Sequence, residues 1–224
     1  MPVGVPKVPS MPLEPDESEI KNQTKPKQGF LEKSIKFPKR LAAEKELIDR
    51  LYRDRALFLF KDLDKELANT IVGLMVFLNL EDNTKEQFLF INSPGGSLVY
   101  GIAVHDVSRS VRPDVHTLAM GVAASMAAFI LSGGAQTKRL AFPHRVMIHQ
   151  PRCVFPKDSA PVDVGMDAEE VTTLRNYVVS HYAIRSRRSV WRVIDDLKRN
   201  TYMTPTEART YGIVDSIAAD WEAY

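Results

Sequence analysis

Gly121-Val122-Ala123-Ala124-Ser125-Met126-Ala127-Ala128-Phe129-Ile130 is the stretch on which the fold turns. Val115–Met120 before it reads as a strand, expected to end at Gly121. The small residues then make a turn, and an apolar helix begins. Ser125 is thereby placed at a helix N-terminus, where unbonded backbone N–H groups and the positive end of the helix dipole would suit an oxyanion. A serine merely capping a buried helix fits the same ten residues, so the segment alone leaves both readings open.

Outward from this stretch, strands and helices alternate. Leu47, Ile48, Leu51 and Tyr52 recur at helical spacing, and Ala56–Phe60 reads as a strand. Asp62 or Asp64 can cap a helix through Leu67, Ile71, Leu74 and Leu78. Phe88–Ile91 is a strand candidate and Leu98–Val111 a helix. Arg139–Phe142 and Val146–His149 are further strand candidates, Asp167–Arg187 and Val190–Arg199 further helices, and Ile213–Ile217 a closing strand. Such alternation predicts an α/β fold, with helices covering a largely parallel sheet. Residues 1–40 differ: they hold half of the prolines and a basic run over Lys21–Arg40, and read as an irregular arm preceding a domain over 41–224.

Two other segments carry chemistry. Ser93-Pro94-Gly95-Gly96 follows a buried strand, and its glycines let backbone approach a ligand closely with an N–H free to donate; a plain turn has the same composition. Val146-Met147-Ile148-His149-Gln150-Pro151 places a histidine at the end of a buried strand, a rigid position suited to a general base. His105, His116, His144 and His181 have no comparable setting. Cys153, the only cysteine, excludes an internal disulfide framework and lacks a turn or helix start that would activate it.

Ser93-Pro94-Gly95-Gly96, Ala123-Ala124-Ser125-Met126-Ala127 and Met147-Ile148-His149-Gln150-Pro151 together resemble the ClpP family of ATP-dependent proteases. The opening Met1-Pro2-Val3-Gly4-Val5-Pro6-Lys7-Val8-Pro9 is similar to the plastid-encoded branch, as are Arg112–Thr117, Thr137–His144 and Tyr211–Asp215. The resemblance implies a ClpP/crotonase-like spiral α/β domain with a protruding strand-helix handle, here about 155–182. It implies Ser125 as nucleophile, His149 as general base, and backbone N–H groups of Gly96 and Met126 as oxyanion donors. Substrate would lie as an extended strand along Gly95, Gly96, Ser97 and Leu98 and beside Pro151. Phe88, Phe90, Leu118, Met120, Leu140 and Phe142 match positions that receive unfoldase loops, although apolar residues there are equally expected in a core. Implied partners are ClpP- and ClpR-type subunits in stacked seven-membered rings and a ClpC-type AAA+ unfoldase, in the chloroplast stroma. The peptidase step would need no cofactor, ATP being consumed by the unfoldase.

The chain departs from the family pattern at its third triad position. Where an Asp is expected, Lys198-Arg199-Asn200-Thr201-Tyr202 carries Asn200. An Asn oxygen can orient an imidazole but lacks the charge that stabilises an imidazolium; the corresponding change in a serine protease lowers turnover by roughly 10⁴. Asp195 or Asp196 would replace it only after a local rearrangement. Expected, then, is a serine endopeptidase subunit with a Ser-His-Asn triad acting on unfolded chains, or alternatively a largely silent structural ring member of ClpR type. Crotonase-type acyl-CoA chemistry shares the fold plan but leaves the His149 segment unexplained, and neither Lys138 nor Lys157 is singled out as the base of a Ser-Lys dyad.

Composition narrows the remaining classes. A net charge of +2 predicts no strong field and no nucleic-acid partner. Met1–Ser10 lacks the continuous apolar core of a secretory signal, and Ile71–Leu80 is too short to cross a bilayer. Histidines are isolated, so no metal site is expected.

Overall fold

The computed structural model describes residues 47–143, 145–151 and 161–218, with side chains in the last segment from residue 167 onward. The chain divides into two units, Met1–Arg55 and Ala56–Tyr224. The division falls where sheet pairing begins, beyond the expected boundary at residue 40, and the arm over 1–40 lies outside the described residues. Within the first unit, residues 47–53 form helix α1.

The second unit is α/β. Strands β1 (Ala56–Leu59), β2 (Gln87–Ser93), β3 (Val115–Ala124), β4 (Arg139–Ala141) and β7 (Ser216–Ile217) are parallel neighbours in that order. β5 (Arg145–Ile148) runs parallel to the far end of β3, and β6 (Thr201–Met203) pairs antiparallel with β5. Helices α2 (Lys65–Glu81), α3 (Leu98–Ser110), α4 (Met126–Gly133), α5 (Pro161–Ser186), α6 (Val190–Leu197) and α7 (Pro205–Tyr211) complete the unit. No helix among the described residues is long and apolar enough to cross a membrane.

Strand periodicity places the core. Gln87, Leu89, Ile91, Val115, Thr117 and Ala119 turn inward, while Phe88, Phe90, Leu118, Met120, Leu140 and Phe142 keep partial exposure on the other face. Every residue of α4 is buried, and Phe129 is 0% exposed; truncating such a side chain costs about 3–5 kcal/mol. Of the two candidate caps for α2, Asp64 does the capping, its Oδ1 accepting from Leu67 N at 2.7 Å. The helix of the expected handle extends from Pro161, at the first helical position, to Ser186, beyond residue 182. The handle's expected strand lies outside the described residues, as do Cys153, Lys157 and His144.

Two histidines that looked unremarkable in sequence meet inside the core. His105 on α3 and His181 on α5 are 0% and 6% exposed, with Nε2 of the first 3.2 Å from Nδ1 of the second. His105 Nδ1 lies 2.9 Å from the Asp106 carboxylate, which only accepts, so this nitrogen carries the proton. Neutral His105 therefore offers Nε2 as acceptor to His181 Nδ1–H, and His181 Nε2 accepts from the Ser132 hydroxyl 2.9 Å away. Burial is the main cause that lowers the basicity of both rings. His116, by contrast, sits near the surface, 2.7 Å from Glu86 and stacked on Phe88.

Candidate active site

The expected turn from Gly121 to Ala124 is not what the backbone does. β3 continues to Ala124, and Ser125 alone makes the turn, with φ 56° and ψ −124°. The strand persists because it changes partners: residues 117–119 pair with β4, and residues 122–124 pair with Arg145, Val146 and Met147 of β5. Gly121, at φ 75°, lies at the exchange, and a Cβ there would come within 2.5 Å of Asn92 Oδ1. That same oxygen accepts from Val122 N at 3.1 Å, securing the next strand segment. Positive φ at a serine is a local strain of about 1–3 kcal/mol. It is held on both sides: Ser125 N donates to Met147 O at 2.8 Å, and Ser125 O accepts from Ala128 N and Phe129 N.

This conformation decides between the two readings of Ser125. Its side chain makes no capping bond to α4; Oγ instead lies 2.9 Å from His149 Nε2. His149 follows the last residue of β5, whose hydrogen bonds to β3 fix its distance from Ser125. Both side chains are half-buried.

The Ser93–Gly96 loop closes on the same point. Ser93 Oγ donates to Lys61 O at 2.7 Å and accepts from Gly95 N at 3.1 Å. Leu63 N donates to Gly95 O, and Leu63 O accepts from Ser97 N, so Leu63 bridges Gly96 in parallel fashion. In such a bridge the central residue turns its own N–H away from the partner. Gly96 N–H thus faces the side opposite Leu63. A Cβ on Gly95 (φ 100°) would fall 2.7 Å from Ser125 Cβ and 3.0 Å from Met126 N; one on Gly96 would fall 2.3 Å from Leu63 O. Met126 N is the first N–H of α4, with no carbonyl a turn earlier to receive it.

Asn200 is brought near by β6. Val146, Met147 and Ile148 pair with Met203, Tyr202 and Thr201, and one step further in that register sets Asn200 opposite His149. Gln150 N donates to Leu197 O at 2.8 Å and secures the same junction. The two aspartates weighed as substitutes are engaged elsewhere: Asp195 lies 3.4 Å from Lys198 Nζ, and buried Asp196 meets Arg192, Arg188 and the Tyr211 hydroxyl. Lys138 is paired with Glu86 and Asp114.

A cleft of about 420 Å³ opens at this point, lined by Gly96, Ser97, Leu98, Ser125, Met126, His149 and Pro151. Gly95 lies behind it, buried against Ser125. Its other wall was not foreseen: Val99, Phe129, and Val171, Leu174, Val178 and Tyr182 of α5. The last four repeat at three- and four-residue intervals, a helical stripe legible in the sequence as an apolar face but not as a cleft wall. The six residues matched to unfoldase docking form one contiguous patch, with Phe90 and Leu118 and then Leu118 and Leu140 as register neighbours and Phe58 stacked on Phe90 at 5.5 Å.

Comparison with known proteins agrees with this arrangement. Residues 39–220 match the family model described as Clp protease. ATP-dependent Clp protease proteolytic subunits from Nicotiana tabacum and Spinacia oleracea are 44% and 43% identical, each over 98% of this chain and 100% of the relative. The protein of the same description from Daucus carota is 44% identical over 97% of this chain and 98% of its own length. A nucleophile-like serine on a strained strand–helix junction, the histidine beside it and a match across nearly the whole chain lead to one conclusion: this chain belongs to the Clp protease family.

Proposed function

We propose that the chain is a proteolytic ring subunit that hydrolyses unfolded polypeptides with Ser125 as nucleophile, His149 as general base and Asn200 as orienting residue. The observation that carries this reading is the 2.9 Å contact of Ser125 Oγ with His149 Nε2 beside the Gly95–Gly96 loop and the α4 N-terminus. His149 takes the hydroxyl proton as Ser125 Oγ bonds to the scissile carbonyl carbon. Gly96 and Met126 N–H groups receive the resulting oxyanion. His149 then returns the proton to the leaving amine as the C–N bond breaks, and water hydrolyses the acyl-enzyme by the same route. Gly95, Gly96, Ser97 and Leu98 with Pro151 hold the substrate backbone. The apolar wall from Phe129 to Tyr182 suits an apolar side chain next to the cut bond.

This step requires no cofactor. Family membership and the plant relatives favour stacked heptameric rings shared with ClpP- and ClpR-type subunits, in the chloroplast stroma, fed by a ClpC-type unfoldase that consumes ATP. The half-exposed patch from Phe88 to Phe142 is the surface we assign to that unfoldase. A fluorophosphonate probe should label the native protein, with peptide mapping locating the adduct at Ser125; an adduct elsewhere, or none, sinks the catalytic assignment. Asn200 in place of a carboxylate also favours a second reading, a ring member that contributes structure and little turnover. Replacing Asn200 separates the two, as set out below.

A further inference from the structure

We propose that a second cavity, lined in part by the face of α5 next to the one that walls the catalytic cleft, is a binding site for a small phosphate-bearing anion. Its volume is about 590 Å³, and Arg109 of α3, Arg139 of β4, Arg185 and Arg187 at the C-terminal end of α5, and Arg209 of α7 converge on it. One carboxylate, Asp215, also lines it and is already held by Arg139, with contacts of 2.6 and 2.9 Å. Five guanidiniums against that carboxylate leave a formal charge of +4 at one cavity, on a chain whose whole net charge is +2. Among the described residues, Arg109, Arg185, Arg187 and Arg209 meet no carboxylate within ion-pairing distance.

A plainer reading is that these arginines only offset helix dipoles. Arg109, Arg185 and Arg209 do stand in the last turns of α3, α5 and α7. Each helix end contributes about half a negative charge, so three contribute roughly −1.5, well short of the positive charge present. The surplus has a visible cost: burial, and then the neighbouring Arg139 and Arg109, lower Arg185 to about 10. A multivalent anion removes this repulsion. Guanidinium forks match phosphate oxygens with paired N–H donors, and Thr137 and Ser180 add neutral hydroxyls at the rim. Thr137 and Arg187 are also two of the four non-glycine residues with positive φ among those described, and both line this cavity. The volume is that of a typical small-ligand site and accommodates a chain of two or three phosphates.

Titration calorimetry of the full-length protein with inorganic tripolyphosphate, near 0.1 M salt, tests the proposal without reference to peptidase activity. Expected is saturable binding of one anion per chain. Replacing the exposed Arg109, Arg187 and Arg209 together by Gln should weaken it at least about tenfold. Arg139 and Arg185 are left in place because they brace Asp215 and the Gly134 carbonyl. A control with the same charge removed elsewhere, Arg50→Gln, Arg53→Gln and Lys65→Gln, should stay within about threefold of the parent. Should the triple variant misfold, the single variant Arg209→Gln and the rise in melting temperature of the parent with tripolyphosphate carry the test. Absence of saturable binding, equal weakening in the control, or a hexaglutamate peptide binding as tightly as tripolyphosphate overturns it.

Discussion

Helix α4 carries a serine at each end, and each holds a histidine Nε2 at 2.9 Å: Ser125 with His149, Ser132 with His181. By distance the pairs are twins, yet their surroundings differ in every respect that matters to chemistry. Ser132 is 0% exposed, and its hydroxyl proton is shared with the Phe129 carbonyl 2.7 Å away. Helical hydrogen bonds consume the N–H groups around it. Ser125 opens on a cleft, sits at the helix end where N–H groups are unspent, and is turned out by a strained backbone. A hydroxyl and an imidazole in contact are therefore insufficient; access and unspent donors separate a nucleophile from a packing contact.

The sharpest way to break this comparison is to remove each hydroxyl in turn. Ser125→Ala should abolish probe labelling and, in a chain whose triad carboxylate is restored by Asn200→Asp, lower peptide turnover by about 10⁶, the scale seen when a serine is lost from an intact triad. Ser132→Ala should keep labelling and cost instead about 1–3 kcal/mol in urea unfolding, because buried His181 Nε2 loses its partner. Loss of labelling in the Ser132 variant would make the pairs equivalent after all.

Asn200→Asp comes next in size. A carboxylate opposite His149 should raise turnover by up to about 10⁴ if the triad is weakened, measured as kcat on a fluorogenic peptide. No gain supports the structural-subunit reading. Gly95→Ala presses on the donor side: at φ 100° its Cβ would meet Ala124 O and Ser125 Cβ at 2.7 Å and Met126 N at 3.0 Å, so kcat should drop by about 10²–10³ and melting temperature should fall with it, measured on the folded fraction.

Smallest is the effect of pH on the inner pair. Both His105 and His181 are held below the ordinary histidine value, His181 at about 2, by burial first. Asp106 favours the charged form of His105, while Arg109, Arg185 and, for His181, Arg139 disfavour it; Tyr177 donates to Asp106 and occupies part of that carboxylate. A depressed folded value means the unfolded chain takes up protons first as pH falls through about 6.5. Stability is therefore full above that value and declines below it, by at most about 1.4 kcal/mol per pH unit for each histidine. Urea midpoints at pH 7.5 and 5.5 should show the decline, and His181→Phe should flatten it. An unchanged slope in that variant would place the titration elsewhere.

Much of the fold was readable because its signals are local: alternation in β2 and β3, helical spacing in α2, the glycines before α3. Ser125 and His149 were legible through the resemblance of three short motifs; alone, the Ser125 segment fitted a plain helix cap equally well, and its strand was expected to stop at Gly121 rather than Ala124. Partner exchange at Gly121 was not legible, since it depends on β5 approaching from another part of the chain. The capping box Thr204–Glu207 with Pro205 and Gly212 did mark α7 in the sequence, and the expected elements passed over it. Meeting of His105 and His181, and convergence of arginines from three helix ends, arise from packing between distant segments. No periodicity records such encounters.

Helix α5 serves two cavities from neighbouring faces. Val171, Leu174, Val178 and Tyr182 stand along one stripe. Tyr177, Ser180, His181 and Ile184 stand along the stripe beside it. The two linings share no residue, so either chamber can be recut without replacing a side chain of the other.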